Sequence, residues 1–179
     1  GQKLSNNIMS CVQEVIPTKN WNLIARLSVA IGPGSFTSTR LTVVMARTLA
    51  QQLNCQLDGI SSFALMAPRL SKKLEEASQY KPFWIIKNLH RRGIVGGKYQ
   101  ISKDTKYAKN PKVSEIEKPH LIPLKTKHCL SIEASDNVES DVEYLLKISY
   151  NKHAIGEQSS WKYVLPIYPT SPVDNNQTI

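Results

Sequence analysis

Several signals are scarce in these 179 residues, and each scarcity excludes something. No apolar run approaches the 18 or so residues that carry a helix across a bilayer. The histidines, His90, His120, His128 and His153, never fall into HxxxH or HExxH spacing, which removes the usual helical metal pair. Cys11, Cys55 and Cys129 stand far apart without CxxC. An odd, unpatterned count fits a reducing cytoplasm and small buried hydrophobes better than a disulfide framework. Neither GxSxG nor a Cys-His signature marks a nucleophile, and GxxxxGK[ST] and GxGxxG are both missing. Acids are short as well, 14 against 23 Lys and Arg, for a formal charge of +9.

The imbalance is local. Residues 87–112 hold eight bases (87, 91, 92, 98, 103, 106, 109 and 112) against the single acid Asp104, while residues 133–143 hold five acids and no base. A basic segment concentrates phosphates and speeds encounter. An RNA-binding module is therefore one reading of it, and a solvated lysine-rich loop the other. Tyr99 and Tyr107 are its only aromatics, too few for a stacking platform.

What is present centres on residues 27–60. Leu27-Ser28-Val29-Ala30-Ile31 is a short β-branched run stopped by glycine, the pattern of a buried strand. Gly32-Pro33-Gly34 makes a tight loop, and Ser35, Thr37, Ser38 and Thr39 are able N-caps. From there the pattern turns helical to about residue 53, with Leu41, Val44, Met45, Thr48, Leu49, Gln52 and Leu53 along one side. Residues 56–60 follow as a second strand, which predicts a parallel strand–loop–helix–strand unit with its loop at the ligand edge of a sheet. Backbone N–H groups at such a loop can hold an anion, but no lysine lies inside it, so a structural turn competes with a phosphate site.

Ahead of this unit, Leu4, Ile8, Cys11, Val12, Val15 and Ile16 form an apolar helical face broken by Pro17, either a core stripe or a partner surface. After it come a short helix over 63–70 capped by Ser61 or Ser62, a polar connector, a strand from Phe83 and a helix from Asp141 to about Tyr150. Residues 102–127 have weak periodicity and say little. Met45 and Phe63 are core candidates. Asp58 reads as a strand-end carboxylate rather than a base. Arg40 and Arg47, seven apart, share a helix face.

The residues GPGSFTSTRLTVVMARTLAQQL, then GISSFALMA at 59–67, resemble the bacterial TsaB (YeaZ) family, with its GPGSFTGxRxG loop and GVSSLEALA-like segment. The flavour is closest to cyanobacterial members. Asp141 to Leu146 and Trp161 to Tyr168 resemble the family's C-terminal end. The likeness covers roughly residues 4–70 and 141–173. Ser38 and Thr42 stand where the family has glycine, and the acid of its DARRGEV-like segment is missing from Asn88-Leu89-His90-Arg91-Arg92-Gly93-Ile94-Val95.

That resemblance implies an α/β chain of the ASKHA (actin, Hsp70 and sugar-kinase, RNase H-like) fold. It also implies truncation at the N-terminus relative to the family, since a DTS-like strand and two more strands would precede Gly1. The expected organisation is a lobe over 1–80, a smaller lobe over 81–160 and a tail over 161–179 packing back on the first. The implied function is non-catalytic support of TsaD in forming N6-threonylcarbamoyladenosine at position 37 of ANN-decoding tRNAs. ATP would be used through TsaD, with no cofactor or metal held by this chain. The implied partners are TsaD in a heterodimer, TsaE, a second copy when alone, and tRNA indirectly; TsaC completes the pathway. The implied location is the cytoplasm, without a membrane. Family-motif residues are Gly32, Pro33, Gly34, Ser35, Phe36, Thr37 and Arg40. The pairing surface implied, helices 3–16 and 38–53, points to Leu4, Ile8, Cys11, Leu41, Val44, Met45, Thr48, Leu49 and Gln52. Residual ATP hydrolysis or glycopeptidase activity is the enzymatic alternative.

Overall fold

The computed structural model describes residues 2–89, 92–102, 112–123 and 130–169, with side chains in the first helix from Asn7 on. Leu4, His90, Tyr107, His128, Cys129, four bases of the 87–112 segment (91, 103, 106 and 109) and the tail from 170 lie outside the described side chains. The chain forms two units: Gly1–Ser62 with Val138–Pro166, and Phe63–Asn137 with Ile167–Ile179. The polar connector at 71–81 thus lies inside the second unit, and the segment from Val138 returns to the first.

In the first unit, helix α1 (Gln2–Val15) leads through a short 3-10 helix (Thr18–Leu23) into strand β1 (Arg26–Ala30). Helix α2 (Phe36–Gln52) follows, then strand β2 (Gln56–Ile60), parallel to β1 with Arg26 opposite Gln56 and Ala30 opposite Ile60. The strand–loop–helix–strand unit read from the sequence is therefore present. Side chains alternate across a strand, so Leu27, Val29 and Leu57 face α2, where Val43, Ala46 and Ala50 complete the core with Cys55 and Val164. Two of these helical contacts are alanines, which let α2 settle close on the strands. Gly59 serves the same end: a side chain there would meet Val164 Cγ1 at 2.8 Å and Ile31 Cγ2 at 2.9 Å. The opposite face of β1 carries helix α4 (Val138–Ala154).

The second unit holds helix α3 (Ser62–Ser71) from Phe63 on, and a four-stranded sheet of order β5-β4-β3-β6. Its strands are β3 (Phe83–Leu89), β4 (Gly93–Ser102), β5 (Lys112–Ile122) and β6 (Ser131–Glu133). β3–β4 and β4–β5 are antiparallel, and β6 runs parallel to β3. Phe63, Met66, Ala67 and Leu70 of α3 pack on Phe83, Ile85, Val95, Tyr99 and Ile101. Phe63 is fully buried, as its sequence context predicts. Tyr99 is buried too and donates its hydroxyl to Glu115 at 3.0 Å, so it is not an exposed ring in the basic segment. Of the described bases there, Lys87 lies 3.9 Å from Asp136 and Lys98 lies 3.7 Å from Glu117.

Several expectations change. Met45 is half-buried rather than core, because the inward face of α2 is carried by Val43, Ala46 and Ala50. Cys55 is buried, which raises its thiol pKa, but Cys11 is exposed. Asp58 sits in the middle of β2 at 2% exposure, not at a strand end. The helix expected from Asp141 to about Tyr150 begins earlier and ends later, as α4 (Val138–Ala154).

Candidate functional site: the outer face of the second helix

The glycine loop places the start of α2. Gly32 takes φ +96°, a value that favours glycine, and its carbonyl accepts the Ser62 N–H at 2.7 Å. Gly32 and Pro33 are buried, whereas Gly34, Ser35, Thr37 and Arg40 are exposed and Phe36 is half-buried. Ser35 is the N-cap residue, although its side chain makes no capping hydrogen bond. Thr42, at a family glycine position, donates its hydroxyl to the Ser38 carbonyl at 2.9 Å. The two replacements thus bond to each other within the helix.

Beyond the loop, α2 has two unlike sides. The inner side is the core face just described. The outer side carries the predicted surface residues: Val44 is 52% exposed, Thr48 and Gln52 are exposed, and Leu41, Met45 and Leu49 are half-buried. α1 lies against α2. Among its described side chains none is buried; Ile8 is half-buried, Cys11 is exposed, and Met9 and Val15 are 40% and 80% exposed. Val12 and Ile16 are half-buried like Ile8, so the described apolar face of α1 is partly covered and partly in solvent. The structure brings the two helices together and leaves apolar atoms on both in solvent.

A charged cluster that sequence reasoning missed lies on the α4 side of β1–β2. Arg26 Nη1 is 3.6 Å from Asp58 Oδ2, and both side chains are nearly sealed from solvent. The Arg26 guanidinium also donates to the Glu157 carbonyl and to Ser159 Oγ. Ser159 Oγ donates to Asp58 Oδ1 at 2.8 Å, and the Ser159 N–H donates to Gln56 Oε1 at 2.6 Å. Lys152 Nζ reaches Asp58 Oδ1 at 3.5 Å and Glu157 Oε1 at 2.6 Å. Asp58 in an apolar strand is the one clue in the sequence, since a buried carboxylate needs a partner. Its partners lie 32 to 101 positions away in the chain, where pattern reading has no reach.

This cluster ties the segment after α4 to β1 and β2. Burial lowers the Lys152 pKa, but its hydrogen bond to Glu157 and the charge of Asp58 outweigh that and raise it. A raised pKa keeps Lys152 charged between the Asp58 and Glu157 carboxylates, as an ion-paired tie requires. The Lys152 hydrogen bond also lowers the Glu157 pKa from 4.5. Glu157 then contributes stability that is full above about pH 4.5 and is lost as pH falls through its lowered value. Lys152 contributes stability that is full below about pH 10.5 and is lost as pH rises through its raised value. Urea midpoints measured across pH should show both limbs, and Glu157→Gln should flatten the acid one. An unchanged acid limb in that variant would contradict the pairing. Among the described residues no three His, Cys, Asp or Glu side chains come together as a metal-holding group. Among them, too, no helix is long and apolar enough to cross a membrane.

Comparison with known proteins places this architecture. The family model described as TsaD, tRNA N6-adenosine threonylcarbamoyltransferase, matches residues 1–160. YeaZ from Pseudomonas aeruginosa superposes with a TM-score of 0.63 at 15% identity, over 92% of this chain and 85% of that one. A protein described as uncharacterized with similarity to peptidase YEAZ, also from Pseudomonas aeruginosa, gives 0.62 at 14% identity over 92% and 83%. No curated protein matches the chain. The mixed α/β architecture agrees with the ASKHA-like fold of those structures. The chain belongs to the TsaD tRNA N6-adenosine threonylcarbamoyltransferase family, within which it is a TsaB/YeaZ-like protein.

Proposed function

We propose that this chain is an accessory subunit of a tRNA-modifying assembly, acting by presenting the outer faces of α1 and α2 to TsaD. The observation that carries the reading is the outer side of α2, where Val44, Thr48 and Gln52 stand in solvent beside half-buried Leu41, Met45 and Leu49. A helix of this kind offers apolar anchors at 3–4 spacing to a complementary groove. Ile8 and Cys11 extend the surface along α1. The GPGSFT loop then serves as the turn that aims α2, not as a phosphate site. TsaD supplies the bond-making and uses ATP, TsaE joins the assembly, and tRNA is engaged through it. In the absence of TsaD, two copies pair through the same helices. The assembly works in the cytoplasm and forms N6-threonylcarbamoyladenosine at position 37 of ANN-decoding tRNAs.

Reconstitution tests the reading. With TsaD, TsaE, TsaC, ATP, threonine, bicarbonate and an ANN-decoding tRNA, formation of the modified base should require this chain. Full modification without it, or modification by this chain without TsaD, would contradict the proposal.

A further inference from the structure

Residues 157–164 leave α4 at Gly156, which takes φ +69°, and pass from one face of β1–β2 to the other. The first part is tied to the polar face by Arg26, Gln56 and Asp58, and to α4 by the Lys152–Glu157 pair. The second part reaches the α2 side. Val164 is buried there against Gly59, in the space a side chain would fill. Trp161 lies under the Arg47 guanidinium of α2, 5.8 Å from ring centroid to Cζ, with Lys162 Nζ 6.0 Å from the same ring. Arg47 belongs to α2 but not to its outer face, so the segment touches the helix behind the surface proposed to dock. A cation over an indole has a preferred geometry and fixes the position of its stem.

We infer that residues 157–164 are a strap whose Trp161 acts through Arg47 as a positioning residue, holding α2 in the register its outer face needs for a partner. The inference rests on the docking role proposed above. The buried Arg26–Asp58 pair supplies the fixed end of the strap, which explains why two charges are kept where apolar side chains would pack. Trp161 lies on the inner side of the helix, so it influences docking only by setting where α2 sits. A strap acting in this way couples a remote ring to an interface without contacting the partner.

The test uses the full chain and purified TsaD. Trp161→Leu should weaken TsaD binding about tenfold and speed amide exchange along α2, at a temperature where circular dichroism shows the variant folded. Trp161→Phe, which keeps a ring under the cation, should restore most of the affinity. Arg47→Ala should reproduce the loss, and it serves as the probe if the leucine variant does not fold. Unchanged affinity in folded Trp161→Leu or Arg47→Ala would overturn the strap. So would a Phe variant as weak as the Leu one, since a purely structural filler would not discriminate the ring. Met45→Asp is the control that separates the two claims. If it abolishes binding while the Trp161 variants bind normally, only the strap is wrong; if it too binds normally, the docking reading fails with it.

Discussion

An aspartate at Val44 or Met45 should abolish capture of TsaD while leaving the chain folded. Val44 is 52% exposed, so a carboxylate there is hydrated in the free subunit and costs the fold little. Aspartate and valine also have similar helix propensities, which keeps α2 intact. On docking, that carboxylate would lose its water against apolar atoms. An unpaired buried charge costs several kcal/mol, so affinity should fall by about 100-fold or more. Truncation is gentler: Met45→Ala, if the residue is an anchor, should cost about 2 kcal/mol, or about 30-fold. Leu49→Pro should act by another route, breaking the helix at about 3 kcal/mol. Co-purification with tagged TsaD, paired with circular dichroism, reads all of these. A folded Val44→Asp chain that still co-purifies would remove the outer face of α2 from the interface.

Asp58→Ala should have the largest effect on stability. Removing it strands the Arg26 guanidinium at a nearly sealed position, and it also takes away the acceptor of Ser159 Oγ and a counter-charge of Lys152. Breaking a buried pair from one side costs about 3–5 kcal/mol, a large share of what a domain has to spare. Removing both charges should hurt far less. Arg26→Met with Asp58→Leu should recover most of the loss, because apolar side chains of similar volume remove the desolvation cost along with the attraction. Urea unfolding of the two single variants and the double one forms a cycle that measures the coupling. Single variants that are as stable as the parent would show that the cluster contributes nothing to the fold. A double variant worse than either single one would show that the charges are needed as a pair.

Much of the first unit could be read from the sequence because its signals are local. A β-branched run, a glycine loop and a 3–4 helical pattern each lie within a few residues, and β1, α2 and β2 follow from them. The inward side of α2 was harder. Leucine, valine and methionine dominate the pattern by size, yet the core is carried by Val43, Ala46 and Ala50, two of them too small to stand out. The larger side chains were left on the outer side, where a partner would want them. β5 escaped for a different reason. Its stretch Ser114-Glu115-Ile116-Glu117-Lys118 is mostly polar because it is an edge strand, and only Val113 and Ile122 mark its packed ends. The Arg26–Asp58 clamp was beyond reach altogether. No spacing rule links β1, β2 and residue 159; only the fold brings them together.

Amide exchange along α2, with and without TsaD, tests the docking claim most directly. Saturating TsaD should slow exchange across residues 41–52 and along α1, and leave β3, β4 and β5 as they are. Protection confined to the four-stranded sheet, with α1 and α2 exchanging as freely as in the isolated chain, would contradict it.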